Sequence, residues 1–373
     1  MVLNELRLDG FRNYDGFCAC FSPGINVISG KNAQGKTNLL EAVYLLSQGK
    51  SHRGAKENEL IGFDRDSAEI GAKIFTSGRE HELKMRLQNG VRRTIFRNGV
   101  RLKKVSELSG TLTSVLFEPS DLELVKGAPA KRRTELDNVI SQLRPLYFAT
   151  LSEFNRLYAG KLRILKNHRE TPSLIEALDE YNAGLCGAGA RLIFYRISFV
   201  KKLAEFADAV HFECSGRQER LGIEYRTERG IDIENPDRSA IYEALTERQK
   251  QHRGDEIAAG RALVGAQRDD MYITVNGLDA KSFASQGQTR TAALSIKLAE
   301  RDLIADDAGE APVLLLDDVL SELDAARREF VRSRIRGGQV FITTAEPDIA
   351  GIPARGDGGR HIVIERGRLI GER

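Results

Sequence analysis

One octapeptide, Gly30-Lys31-Asn32-Ala33-Gln34-Gly35-Lys36-Thr37, constrains this 373-residue chain more than any other stretch. It fits the pattern Gly, four residues, Gly-Lys-Ser/Thr, which cradles phosphate. Ahead of it, Gly24 to Ser29 is a short apolar run that reads as a buried strand. Behind it, Asn38 to Leu46 carries apolar residues at helical spacing. Strand, glycine loop and helix is the context the motif requires, and it argues against a plain glycine-rich turn. Gly30 and Gly35 let the backbone bend around a phosphate chain with no Cβ in the way. The amides of Gln34 to Thr37 open a helix, where unpaired N–H groups and the helix dipole favour an anion. Lys36 is expected to reach the β- and γ-phosphates, and the Thr37 hydroxyl to bind Mg²⁺.

Net charge is only +3, so affinity for nucleic acid must come from local clustering. Two such clusters stand out. From Lys84 to Lys104 there are eight basic residues and no acidic one, in a stretch whose partial alternation and Asn89-Gly90 and Asn98-Gly99 pairs predict a β-meander over 68–117. DNA phosphate is one reading, with Arg92, Arg93, Arg97, Arg101, Lys103 and Lys104 as the candidate contacts. Cations guarding exposed sheet edges is the other. From Lys126 to Arg169 there are ten Lys/Arg against three Asp/Glu, a second surface for DNA or a partner, or a solvated helix face.

The four cysteines, Cys18, Cys20, Cys186 and Cys214, lack CxxC spacing and read as reduced thiols. Cys18 and Cys20 would share one face of a strand and are expected to pack there rather than hold a metal. Met1 to Arg12 contain Glu5, Arg7, Asp9 and Arg12, unlike a signal peptide. No apolar run approaches the roughly 20 residues of a membrane span. A cytoplasmic protein without a membrane partner is expected.

The pattern along the chain predicts an α/β head interrupted by an inserted, mostly helical lobe: 1–125 and 263–373 as the two parts of the head, 126–262 as the lobe. Helical spacing begins at Leu136, Val139, Ile140 and Leu143 and continues through Leu192, Phe199 and Leu203; 216–237 reads weakly as strands. Ser285-Gln286-Gly287-Gln288 opens a helix, and Ser285 and Gly287 would leave a hydroxyl and amides facing an anion. Val313 to Asp317 is an apolar strand ending in two carboxylates, Asp317 and Asp318. Ser321-Glu322-Leu323-Asp324 starts another helix, and Gln339 to Thr344 is another buried strand. Ligands of parallel sheets sit at the carboxyl ends of strands. Asp317 is thus placed as partner of the ion on Thr37, and Asp318 to orient or deprotonate a water.

These elements, taken in order, resemble the ABC-type ATPase head, and within it the RecF branch of the SMC-like repair proteins. Gly49-Lys50-Ser51-His52-Arg53, Phe117 to Leu122, Gly127-Ala128-Pro129 with Arg132-Arg133, Leu136-Asp137 and Phe341 to Thr344 extend the likeness over nearly the whole chain. The resemblance implies ATP and Mg²⁺ as cofactors, and a head-to-head homodimer in which ATP held by one copy is closed over by Ser285, Gly287 and Gln288 of the other, with Asp324 near the interface. Lys36, Asp317, Asp318 and Ser285 would carry the chemistry. His52 and Arg53 would lie near adenine and ribose. It also implies DNA binding at gaps or single-strand/double-strand junctions, loading of recombinase with RecO and RecR, a part in replication restart and SOS induction, and a weak DNA-dependent ATPase. The sequence departs from the pattern at three points. Asp318 stands where many heads have Glu, Thr343-Thr344 stands where transporters have His, and only Glu118 or Asp121 could serve as a glutamine loop. A transporter ATPase would place loop and Ser-led segment much closer than the roughly 250 residues here, more than a typical domain. A small-molecule kinase leaves Ser285 to Gln288 without a role. A scaffold that binds ATP without hydrolysing it stays open.

Overall fold

A computed structural model describes residues 1–335, 337–345 and 359–372. The chain forms two compact units, 1–121 with 293–373, and 122–292.

The first unit, the head, contains two six-stranded sheets. One is antiparallel throughout, in the spatial order Phe17–Cys20, Val2–Asp9, Ser67–Thr76, Arg79–Gln88, Val91–Arg97, Val100–Arg101. Its turns follow the sequence signals: Asn98 and Gly99 both have positive φ, 52° and 75°, as the two central residues of a tight hairpin turn require. In the other sheet Arg360–Glu365, Ile25–Ser29, Val340–Thr344, Val313–Asp317 and Ser114–Phe117 run parallel in that order, and Arg368–Glu372 closes one edge antiparallel. The middle parallel strands are buried on both faces, which is why they read as unbroken apolar runs rather than alternations. The helix Lys36–Gln48 is apolar from Leu39 to Leu46 save for Glu41, and is buried throughout that run. Leu39, Leu40, Val43 and Leu46 join residues of both sheets in one core.

Cys18 and Cys20 do share a face, but it is the outward one. Phe17 and Ala19 supply the packing and both thiols are exposed.

The second unit, the lobe, is built on helices Pro129–Leu143, Pro145–Asn167, Leu178–Cys214 and Arg238–Ala259, with a three-stranded antiparallel sheet of Leu221–Arg226, Asp270–Val275 and Leu278–Asp279. The expected end of the lobe at 262 shifts to 292, because Asp270–Val275 pairs with Leu221–Arg226 along its whole length. Helix Leu178–Cys214 contains a stretch long and apolar enough to cross a membrane by length and composition alone. In the lobe it serves as the core, with Leu192, Ile193, Ile197, Val200 and Leu203 buried. Its Arg196 is buried too. The guanidinium donates to Asp137 Oδ1 at 2.8 Å, Asp269 Oδ2 at 2.9 Å and the Ala266 carbonyl at 2.8 Å. A buried charge is tolerable only when its donors are matched this fully.

Candidate nucleotide site

The parallel strands of the head bring their carboxyl ends together, and the loop 30–37 leaves the strand Ile25–Ser29 at that edge. Gly30 has φ 156°, and a Cβ there would come within 2.3 Å of the Ile364 carbonyl. Gly35 has φ 116°, and a Cβ there would meet the Asn13 amide at 2.8 Å and the Tyr14 hydroxyl at 3.1 Å. Both glycines are therefore required by neighbours as well as by curvature. Those neighbours hold the loop. Asn13 Nδ2 donates to the Gln34 carbonyl at 3.0 Å, and Tyr14 OH to the Gly35 carbonyl at 3.0 Å. From the other side the Gly367 amide reaches the Gln34 carbonyl at 2.9 Å, and the Arg366 amide reaches Gln34 Oε1 at 2.7 Å.

Lys36 Nζ lies inside the loop, donating to the carbonyls of Gly30 (2.7 Å) and Lys31 (3.1 Å). Burial pushes the ammonium below its ordinary value, while the Asp318 and Asp317 carboxylates push it back up. Thr37 Oγ1 donates to Asp317 Oδ1 at 3.0 Å across 280 residues of sequence. Burial raises the Asp317 carboxyl, opposed by hydrogen bonds from Thr343 and Thr37. A hydroxyl and a buried carboxylate at this distance form a hard-oxygen donor set, which suits a divalent cation retaining several waters. Asp318 has φ 54°, so the chain turns sharply and this carboxylate leaves the direction taken by Asp317. Its amide donates to Thr343 Oγ1 at 3.0 Å, and its carboxylate lies 3.3 Å from Ser321 Oγ. Thr343, which pairs with Asp317 in register, thus holds both acids: its hydroxyl donates to Asp317 at 2.6 Å. A histidine at Thr343 would not make this double contact from a side chain of that size.

Beneath the loop helix a second polar cluster escaped the sequence reading. Glu41 is fully buried and receives Arg12 through two bonds, 2.9 and 2.8 Å, and Ser51 Oγ at 2.5 Å. Burial pushes its carboxyl up, yet the hydrogen bonds from Arg12 and Ser51 outweigh that and leave it below the usual range. The signal was available: one carboxylate inside the otherwise apolar run Leu39 to Leu46 demands a buried partner.

His52 corrects an expectation. Its side chain is only 4% exposed and lies 3.5 Å from Glu118, edge-on to Tyr44, so it cannot cover a base at the surface. Burial holds its pKa down, against the pull of Glu118 and Glu41. Arg53 is at the surface, bonded to Asn38 Oδ1 at 3.0 Å. It lines a cleft of about 880 Å³ with Arg12, Asn13, Asn38, Phe63 and Arg65, and Phe63 is fully exposed. Of the two candidates for the glutamine-loop position, Glu118 follows the strand beside Asp317 and faces His52. Asp121 is buried and accepts the Glu118 amide at 2.9 Å, a turn-holding role. Asp324 caps the helix Ala325–Arg334 through the Arg327 amide at 2.9 Å and pairs with the Arg327 side chain.

In the lobe, Ser285 and Gln288 form a reciprocal capping box at the start of Gln286–Ala308: Gln288 N donates to Ser285 Oγ (3.1 Å) and Ser285 N to Gln288 Oε1 (2.9 Å). Ser285 is exposed, Gly287 and Gln288 partly so.

The candidate DNA contacts divide. Arg92, Arg101, Lys103 and Lys104 are exposed. Arg93 is turned toward Glu57 at 3.3 Å, and Arg97 donates to the Glu107 carbonyl and Thr111. The apparent excess of charge over 84–104 is also relieved across the sheet, where Lys84 and Arg86 both bind Glu69, at 2.6 and 2.8 Å. In the lobe Lys161 is buried against Glu256 and Arg132 against Asp270, which thins the second basic surface.

A mixed sheet with a phosphate loop, paired strand-end acids and a separate serine-led helix defines an ATPase head of the ABC type. A family model described as the RecF/RecN/SMC N-terminal domain matches residues 2–351. The DNA replication and repair protein RecF of Alkaliphilus oremlandii is 39% identical over 344 residues, 92% of this chain and 93% of that one. Its counterpart in Acetivibrio thermocellus is 35% identical over 369 residues, 99% of each chain. A solved structure of the recombination mediator protein RecF-ATPrS in the RecFOR pathway superposes with a TM-score of 0.91 at 34% identity, covering 99% of this chain and 97% of that one. The Smc head domain from Pyrococcus furiosus, at TM-score 0.55 and 16% identity over 98% of this chain and 94% of that one, shares the fold. The chain belongs to the RecF family, and the transporter reading falls away.

Proposed function

We propose that this chain is an ATP-dependent DNA-binding protein of replication and recombinational gap repair, acting in the cytoplasm on gapped duplex or single-strand/double-strand junctions with RecO and RecR. ATP binds along Gly30–Thr37. The loop amides and Lys36, which exchanges the Gly30 and Lys31 carbonyls for phosphate oxygens, hold the β- and γ-phosphates. The cleft beside Arg53 takes the base and ribose, with the exposed Phe63 ring as a stacking surface. Thr37 and Asp317 would hold Mg²⁺, which supplies charge neutralisation on the β- and γ-oxygens when bound. Ser285, Gly287 and Gln288 of a second copy close over the γ-phosphate, so ATP makes the dimer and the dimer retains DNA. Hydrolysis releases it: water attacks the γ-phosphorus, the bond to the β–γ bridging oxygen breaks, ADP and phosphate leave, and Asp318 accepts the water's proton. Turnover is slow and DNA-dependent.

The observation that carries this reading is the bond between Thr37 and Asp317, which joins a phosphate-loop hydroxyl to a strand-end carboxylate from distant sequence. The test is sedimentation of the full chain with ATP and Mg²⁺, with and without a gapped duplex. A dimer that forms only with nucleotide is expected; a chain that stays monomeric at high concentration in both conditions refutes the reading. A scaffold that binds ATP without turnover is the second reading, favoured by the short Asp318 side chain held near Ser321. Zero phosphate release with and without DNA would select it.

A further inference from the structure

The capping box at Ser285 is oriented by a residue outside it. Gln288 has one amide with two ends. Its oxygen accepts the Ser285 amide at 2.9 Å, and its nitrogen donates to Glu219 Oε1 at 2.8 Å. A carboxylate can only accept, so Glu219 forces the nitrogen of Gln288 toward itself and the oxygen toward Ser285. Ser285 Oγ in turn accepts the Gln288 backbone amide, which leaves the hydroxyl hydrogen free to be donated to an anion in front of the helix.

Glu219 is itself held from behind. Its Oε2 lies 3.4 Å from Nε2 of His211, a fully buried imidazole at the end of helix Leu178–Cys214. His211 also interacts with the backbone of Thr291, in the second turn of the helix that Ser285 caps. The backbone of the Glu219 segment is pinned by Glu219 N to Ser215 Oγ at 3.1 Å and Arg220 N to Asn276 Oδ1 at 2.8 Å. The carboxylate therefore stands at a fixed place between a buried ring and the helix's first turn.

We infer that Glu219 is a positioning residue for the composite ATP site: by fixing the Gln288 amide it presents the Ser285 hydroxyl and the amides after it to the γ-phosphate held by a second copy. The inference builds on the dimer reading above. It makes the segment 215–221, remote in sequence from every nucleotide-binding motif, part of the machinery that senses ATP in the partner.

The experiment uses the full-length protein and its Glu219→Ala, Glu219→Asp and Glu219→Gln variants, with Ser285→Ala beside them. Glu219→Ala and Glu219→Asp, whose carboxylate is absent or withdrawn, should lower ATP-dependent dimerisation and kcat several-fold, less than Ser285→Ala does, while KM and ATP affinity of the isolated copy stay within twofold. Glu219→Gln keeps an oxygen for Gln288 and should recover most of the loss. A simple loss of negative charge would rank Asp above Gln, the reverse order. Should Glu219→Ala fail to fold, the contrast of Asp with Gln carries the test. Wild-type dimerisation and turnover in Glu219→Asp, or a parallel fall in the isolated copy's ATP affinity, overturns the inference. If Ser285→Ala also dimerises as wild type does, the composite-site reading itself is overturned. If Ser285→Ala fails to dimerise while the Glu219 variants remain normal, only the role of Glu219 is.

Discussion

The phosphate loop and the serine-led segment each open a helix, yet they are built in opposite ways. The loop is gripped from two sides by Asn13, Tyr14, Arg366 and Gly367, and the helix behind it is locked over the fully buried Glu41. The serine-led turn is exposed and is held by its capping box, by Glu219 and by the Thr289 and Thr291 hydroxyls on the Ser285 and Gly287 carbonyls. Backbone groups paired to backbone and buried side chains leave few alternatives. An exposed turn held mainly by side chains can adjust at smaller cost. On the composite-site reading proposed above, the loop is the preformed half and the serine-led turn the more adjustable one.

Removing the ammonium from the preformed half should have the largest effect. Lys36→Ala is expected to abolish ATP-dependent dimers and DNA retention, a loss of at least about 100-fold on the scale of a buried charge–phosphate contact; ultracentrifugation showing wild-type dimers would contradict it. Next comes the support beneath it. Arg12→Ala leaves Glu41 buried without its cation and should cost about 3–5 kcal/mol in urea unfolding. The same pair sets an acid limit. Because the Glu41 carboxyl is held below its unfolded value near 4.5, its contribution is present above that pH and is lost as pH falls through the folded value. Glu41→Gln should flatten the acid limb of stability measured from pH 6 to pH 3, and an unchanged limb would show the pair to be indifferent.

On the adjustable half, Ser285→Ala should lower dimerisation and turnover about tenfold, the scale of one charge-assisted hydrogen bond, while ATP binding by the isolated copy stays nearly intact. A large loss of that affinity would mean the serine acts within its own copy. The smallest effect is expected on the sheet. Arg92→Gln should flatten the salt dependence of DNA binding by about one log unit for each phosphate left without its cation, and Arg93→Gln, whose side chain faces Glu57, should leave the slope alone. Equal slopes for the two would move the DNA path elsewhere.

The preformed half was largely legible in the sequence because its chemistry is local. Gly30 to Thr37 fixes its own geometry, and Val313 to Asp317 announces a buried strand and its terminal acids. What was hidden is contact between distant residues. The eight cations of 84–104 looked unneutralised because Glu69 and Glu57 lie outside that window. Helix Arg238–Ala259 left little apolar period because its inner face includes Gln249 and Glu256, which satisfy Lys161. The lobe's sheet was half seen for a related reason, since its two longer strands lie more than forty residues apart in the chain. His52 reads as a surface cation by type, and only its burial against Tyr44 and Glu118 removes it from the surface.

The grip of Arg366 and Gly367 on Gln34 bears on how such a chain matures. A ribosome that has delivered the loop and the lobe has not yet delivered Asp317, Thr343 or the hairpin that seats Gln34. Until those residues emerge, the growing chain has a phosphate motif without the frame that shapes it, so the loop takes its final form only in molecules whose head has closed.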